Sequence, residues 1–582
     1  MELGTLDWSI IIGFFIITLL IGILVSRSAG ANSSEFFLSG RNMPWWLLGV
    51  SMVATTFAAD TPNLVTQLVR EEGIGYNWVW WAFLLTGMLT VFVYAKLWRR
   101  LGITTDLEYY EIRYKGKAAA FLRGFRAIYL GVFFNVMIMA VVLLAGVKIG
   151  SIMLGLSHWE VLLITSIVTV IYSALGGLKG VLITDFFQFI VAMLGSVLAA
   201  WFILDLPEVG GLEGLVTNEN VQEKLSFVPD KEANYNLWIS VFIIPLAVQW
   251  WAAWYPGAEP GGGGYIAQRM LAAKDEKHAT KATLFFNFAH YALRPWPWII
   301  IGLASLVLFP DLESLKTQFP HVSEKLIGHD SGYPAMLTYL PAGLLGLVLA
   351  SLISALMSTI STHLNWGSSY VVNDVYKRFV DREAEEKKLV LVGRISTVIM
   401  MILAAGLSFV IENATEGFNL LVSIGAGSGL LFILRWFWKS INPISEIVAM
   451  SSSFLVTIVF FVIDKTAEEP IELDGSLDWG SVKLLTVVAV TTISWVLATV
   501  ITSDEKHLNP EFDQLAFGGS DKKFTNFGYR LLCVLLGSIA IYSALFGVGY
   551  WLFDPGIEVV YFLGAFVVAS IFIAVFWKKL FE

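Results

Sequence analysis

Three stretches of this sequence place oxygen donors and helix breakers inside otherwise apolar runs, and their chemistry suits a small, hard cation. The first, SMVATTFAADTPNLVTQLV, puts Asp60 and Pro62 in the middle of an apolar segment. A proline inside a helix frees the carbonyl four residues back, and an ionisable side chain within a membrane helix is a functional-site candidate by default. The alternative is a plain proline kink with a locally paired aspartate. The second, QWWAAWYPGAEPGGGGYIAQRM from Gln249 to Met270, interrupts a tryptophan tract with two prolines and four glycines, Gly261 to Gly264. The third, LASLISALMSTISTHLN, clusters Ser351, Ser354, Ser358, Thr359, Ser361 and Thr362. Many such hydroxyls bond back to their own helix or join helices together. Adjacent hydroxyls lie about 100° apart on a helix, so Ser358 and Thr359 can turn toward one groove, and such ligands suit a hard ion.

These stretches must sit on membrane helices. Of the 582 residues, 56% are hydrophobic and 15% charged, with a mean hydropathy of +0.70. That composition departs from soluble proteins in the direction repeated spans produce. The chain reads as an all-α, polytopic, multi-pass protein of the cell (inner) membrane, surrounded by lipid. Apolar runs of about 20 residues give about fifteen spans, the first a retained N-terminal helix. An odd count puts the termini on opposite sides. Most of the 38 Lys and Arg fall in the loop set containing RRLGITTDLEYYEIRYKGK and KRFVDREAEEKK, so the positive-inside rule puts the N-terminus outside and the C-terminus inside. Cys533 is the single cysteine, which excludes an intrachain disulfide and a cysteine metal site. No basic patch suggests nucleic acid.

Irregular backbone at membrane depth survives only where protein buries it or a cavity adjoins it. The run from Leu237 to Arg269 is too long for one straight span and must bend, unwind or re-enter. Counted after the first helix, the two interrupted spans are the first and the sixth. That spacing is expected of two inverted five-helix repeats with a site at their interface, where unwound carbonyls can coordinate a cation. A phosphate-cradling reading of Gly261 to Gly264 lacks the preceding strand and the Lys-Ser/Thr that follows such loops.

With FFLSGRNMPWW before the first core helix, GGLKGVLITDFFQ at the fourth-to-fifth core turn, YIAQRMLAAK after the sixth and SALMSTISTHLNWGSSYVVNDVYK in the eighth, the chain resembles the sodium/solute symporter family. Its members carry sugars, amino acids, vitamins and small anions on sodium gradients. The resemblance implies a LeuT-like core of two inverted five-helix repeats with extra helices. Residues 1–45 would hold the extra N-terminal helix and a cytoplasmic connector, 46–205 the first repeat, 206–440 the second, and 441–582 four C-terminal helices. It implies sodium ligands at the carbonyls of Ala54, Phe57 and Ala355 and the hydroxyls of Ser358 and Thr359. Asp185 would serve a second sodium, the alternatives being a helix cap or a pair with Lys179.

For the solute, the resemblance implies Asn77 and Trp78 at the start of the second core helix. Sugar-carrying relatives have an acidic residue where Asn77 stands, and a lysine where His290 stands. Asp60, Thr61, Gln249, Trp251, Trp254 and Asn419 complete the expected set with Arg294. His290 and Arg294 lie one turn apart on one helix face. An arginine inside a span needs a carboxylate, carbonyls or an anionic ligand, and Asp60 is the nearest carboxylate by the implied topology. Tryptophans can also stack on a sugar ring.

The expected function is sodium-coupled symport of a small organic solute by alternating access, the solute being a sugar or other polyhydroxylated compound, with the protein acting as a monomer. An amino acid or small carboxylate is the alternative solute. From other classes, a membrane-embedded transferase using His290 and Asp60, or a solute sensor, are the rivals.

Overall fold

The structure, a computed structural model, describes residues 3–29, 32–58, 60–253, 259–320, 322, 327–409, 425, 427–467, 471, 477–503, 508–519, 522–523 and 525–581. Trp254 and Asn419 lie outside these residues. Among the described residues, eleven helices are long and apolar enough to cross a membrane. In chain order the elements used below are α1 (Thr5–Ala29), α2 (Trp45–Thr55), α3 (Asp60–Glu72), α4 (Ile74–Leu101), α5 (Lys117–Leu154), α6 (His158–Leu204), α7 (Tyr235–Ala247), α8 (Gly264–Ala272), α9 (Glu276–Leu308), α10 (Leu344–Val380), α11 (Glu386–Leu407) and α12 (Pro443–Thr466). Trp479–Ile501, Phe527–Phe553 and Ile557–Phe576 follow as α13, α14 and α15.

Two expected interruptions are present. The chain leaves helical geometry between α2 and α3, and again between α7 and α8. Pro62 falls in the first turn of α3, where its missing N–H has no intrahelical partner to lose. Between α7 and α8, Gly261, Gly262 and Gly264 have φ of +84°, +94° and +53°, a region that side chains disfavour. The polar backbone there is caught by its surroundings. Trp98 Nε1 donates to the Gly261 carbonyl at 2.7 Å, the Gly264 N–H donates to Asp106 Oδ2 at 2.9 Å, and the Gly262 N–H donates to the Glu259 carbonyl at 2.8 Å.

α6 has 47 residues, roughly 70 Å of helix at 1.5 Å per residue, more than twice the hydrocarbon thickness. It turns at Gly177, where φ is 53° and ψ −160°, inside the GGLKG stretch. α10 is the central helix. Almost all of its side chains from Leu345 to Tyr370 are buried, the hydroxyls of the serine-threonine cluster among them. This central position carries the serine-threonine cluster into the protein interior. α1, α11, α12 and α15 instead leave large apolar side chains such as Leu24, Ile402, Leu455 and Val575 exposed, a surface suited to lipid.

Gly177→Ala should lower the apparent melting temperature of the detergent-purified protein by several degrees. The new Cβ would meet the Phe36 carbonyl oxygen at 2.7 Å in a backbone region, φ 53° and ψ −160°, that is close to glycine-only and costs roughly 1–3 kcal/mol. Gly176→Ala is the control: its Cβ meets nothing nearer than 3.7 Å, so it should match or exceed the parent. Equal melting of the two variants would refute the packing argument.

Candidate functional site

The interruption after α2 is the starting point of the site. α2 ends at Thr55, the Phe57 N–H bonds back to the Ala54 carbonyl at 3.1 Å, and the chain re-enters helix at Asp60. The Thr55 carbonyl, released from helical pairing, accepts the Thr359 hydroxyl from α10 at 2.8 Å. Thr55 Oγ1 in turn lies 2.9 Å from Thr362 Oγ1. The broken helix is thus sewn to α10 by the hydroxyls the sequence clustered.

Beside this seam lies a buried charge knot. Asp185 of α6 and Arg269 of α8 are both fully buried, with carboxylate and guanidinium 3.8 Å apart. The Asp185 carboxylate accepts from Ser51 Oγ at 2.5 Å and from Ser358 Oγ at 2.7 Å. Arg269 donates to Ser51 Oγ at 3.2 Å, to Thr362 Oγ1 at 2.7 Å and to Gln268 Oε1 at 2.9 Å. Asp185 therefore reaches across to α2 and α10. Ser51 relays charge by accepting from the cation and donating to the anion, an arrangement in which ionised partners strengthen each bond.

On the other side of the seam a cavity of about 180 Å³ opens. Thr55, Thr359 and Tyr265, all buried, line it. So do Gln67 and the ion pair of Lys148 with Asp330, 2.9 Å apart and partly exposed. Asp60, Thr61, His290 and Arg294 all line it. Arg294 Nη1 donates to Thr56 Oγ1 at 3.1 Å, and Nη2 lies 3.4 Å from His290 Nε2, while His290 Nδ1 is 3.0 Å from Thr56 Oγ1. Since a guanidinium only donates, Nε2 is the acceptor, which assigns the imidazole proton to Nδ1.

The family model for the sodium:solute symporter family matches residues 36–454. The chain belongs to this family. It is 24% identical over 454 residues to the sodium/glucose cotransporter of Vibrio parahaemolyticus, covering 74% of this chain and 81% of that protein. It is 25% identical over 537 residues to the human sodium/myo-inositol cotransporter 2, covering 84% and 76%. Among solved structures, a sodium-coupled sialic acid symporter in a substrate-bound outward-open state matches with a TM-score of 0.69 at 20% identity, covering 87% of this chain and 99% of that one, which establishes the LeuT-like fold. The protein is an integral membrane secondary transporter, and its cargo is sodium with a small-molecule solute.

Within the symporter, Asn77, Trp78, Gln249 and Trp251 are not among the residues that line the cavity. Asn77 is buried, and its Oδ1 accepts from Trp80 Nε1 at 2.8 Å. Gln249 donates to the Val79 carbonyl at 2.7 Å. Both thereby brace Trp80, a cavity residue, from behind. Trp78 donates to the Phe227 carbonyl at 2.9 Å within a cluster of aromatic rings, and Trp251 packs against Trp250. Arg269, Ser51 and Thr55 escaped the sequence reading, and Thr362 was named only as a member of the hydroxyl cluster. Arg269 in YIAQRM carried the one usable signal, an arginine next to an expected broken span.

A second buried charge cluster stands apart from the cavity. Glu259, from the interrupted segment before α8, pairs with Arg126 of α5 and with Arg435 at 3.2 Å. Arg435 also meets Glu446 of α12 at 3.3 Å and donates to Tyr110 Oη at 2.7 Å. Two cations thus face two anions, linking the break to three other parts of the chain.

Asp185→Asn should destabilise the symporter by about 3–5 kcal/mol, the cost of leaving a buried cation without its counter-charge. Asp185→Asn combined with Arg269→Gln should recover part of that loss. Thermal unfolding in detergent reads both variants; a double variant less stable than Asp185→Asn would contradict the pairing.

Proposed function

We propose that the symporter moves sodium together with a polyhydroxylated solute by alternating access, the solute cavity being the one bounded by Asp60, His290 and Arg294. The observation that carries this reading is the position of Thr359. It is a hydroxyl of the expected ion site and also a wall of the cavity, and it bonds to the broken end of α2. An ion held there would stiffen the same segment that bears Asp60 and Thr61, which gives coupling a physical route: one ligand lowers the ordering cost of the other. Sugar cargo is favoured by the similarity to glucose and myo-inositol cotransporters and by the Trp80 and Tyr291 rings at the cavity.

The sodium ligands in this proposal are the carbonyls of Ala54, Phe57 and Ala355 with the hydroxyls of Ser358 and Thr359. Each hydroxyl donates its proton elsewhere, Ser358 to Asp185 and Thr359 to the Thr55 carbonyl, and so keeps oxygen lone pairs for a cation. Asp185 is the position for a second sodium, where Arg269 competes for the carboxylate. The repeats occupy 46–205 and 206–440, and the protein works as a lipid-embedded monomer without nucleic acid.

Ser358→Ala with Thr359→Ala should raise the sodium concentration for half-maximal thermal stabilisation at least tenfold, because binding to the folded state alone raises apparent stability. In proteoliposomes, an inward sodium gradient should drive accumulation of a polyhydroxylated solute, and potassium in place of sodium should abolish it. Unchanged sodium dependence in the double variant would remove the ion-site assignment.

A further inference from the structure

Far from the cavity, cations gather where the turn after α15 folds back onto the ends of α4, α9 and α14. Lys96 of α4 is buried, donates to the Leu580 carbonyl at 2.8 Å and lies 5.9 Å from the centre of the Phe581 ring. The exposed Lys277, at the start of α9, lies at the same distance from that ring. Arg530, in the first turn of α14, is buried as well. Beside it, Lys579 donates to Tyr529 Oη at 3.1 Å, and the exposed Lys578 precedes it in the turn. Among the described residues, Glu276 is the carboxylate that acts on Lys96 and Arg530. Both of its oxygens are held by Arg100, at 2.9 and 3.1 Å. Lys96, Lys277, Arg530, Lys578 and Lys579 form no ion pair among the described residues, so one shared negative charge leaves the patch strongly positive.

The neighbours of the patch fix its depth. The Lys579 ammonium lies 4.4 Å from the centre of the Tyr529 ring, Tyr529 packs on Phe576 and Trp577 packs on Phe581. Tryptophan and tyrosine concentrate at the headgroup level of a bilayer. One turn further along α15, Phe572 and Val575 are 47% and 64% exposed, on the surface suited to lipid. The same lysines belong to the loop set that the positive-inside rule reads as cytoplasmic. Under-compensated cations at headgroup depth, beside a helix face for acyl chains, suit the phosphate of a lipid with net negative charge. Its oxygens accept charge-assisted hydrogen bonds from several donors, and basic pockets between membrane helices on the cytoplasmic side take such headgroups. A zwitterionic headgroup brings its own ammonium and leaves the excess charge in place.

We propose that this patch is a binding site for the headgroup of an anionic phospholipid, formed by Lys277, Lys578 and Lys579 over the cations of α4 and α14. The lipid joins the peripheral pair α14 and α15 to α4 and α9. Those two helices also carry Trp80, His290 and Arg294 of the cavity, so the lipid braces the part of the protein that walls it.

The test is native mass spectrometry and thermal unfolding of the full-length protein in detergent, titrated with dioleoyl phosphatidylglycerol, dioleoyl phosphatidylcholine or inorganic phosphate. Phosphatidylglycerol should stay bound and raise the apparent melting temperature, and phosphatidylcholine should bind at least about tenfold more weakly. The triple variant Lys277→Gln, Lys578→Gln, Lys579→Gln changes only exposed side chains, and its melting without lipid should match the parent. Its affinity for phosphatidylglycerol should fall at least about tenfold, since each lysine near an anionic surface contributes about 1 kcal/mol. Lys115→Gln with Lys117→Gln removes two exposed lysines from another loop of the same set and should leave that affinity unchanged. Equal losses in the two variants would reduce the effect to general attraction and overturn the site. Equal binding of the two lipids would overturn it as well, and stabilisation by inorganic phosphate matching that by phosphatidylglycerol would overturn the lipid assignment in favour of a free anion.

Discussion

Every backbone amide and carbonyl within a bilayer must find a partner inside the protein, and the cost of failing is several kcal/mol per group. This symporter breaks two helices and meets that constraint by different means. After α2, the freed Thr55 carbonyl takes a hydroxyl from α10. Before α8, the Trp98 indole and the Asp106 carboxylate satisfy the Gly261 carbonyl and the Gly264 amide. The residues that repair the breaks also join the helices, so stability and site formation share the same bonds. The glycines before α8 are required by their positive φ, which sets the course of the chain itself.

Charge follows the same logic with higher stakes. Asp185 and Arg269 compensate each other within a ring of hydroxyls, and Glu259 and Glu446 compensate Arg126 and Arg435. Removing one member of such a set leaves an uncompensated charge, which makes these sets expensive to disrupt and able to hold helices in register. Arg294 stands outside this pattern: its hydrogen bonds go to neutral groups, and the Asp60 carboxylate that lines the same cavity interacts with it without an ion-pair contact among the described residues.

The proposed ion hydroxyls and the cavity share Thr359, and the cavity walls share the segment that begins at Asp60. Coupling needs no long path here. An ion that orders the end of α2 orders the start of α3 as well, because only a few residues separate them. The Asn77 and Gln249 side chains act one layer further out, fixing the Trp80 wall through its indole and its neighbouring carbonyl.

Much of this was legible in the sequence because it depends on local composition. Apolar length marked the spans, Pro62 and the glycines marked the two breaks, and the periodic hydroxyls marked α10 as a polar helix. Asp60, Thr61, His290, Arg294 and Thr359 were named from the sequence and do meet at one cavity. The partnerships were not legible. Nothing local in ITDFFQ or YIAQRM says that Asp185 and Arg269 face each other 84 residues apart in the chain, or that Asn77 supports a wall. Likewise, Arg294 and Asp60, expected to pair, line one cavity and interact electrostatically but form no ion-pair contact among the described residues. A sequence determines which groups must be satisfied in a medium without water; only the tertiary packing, which brings distant parts of the chain together, decides which partner each of them finds.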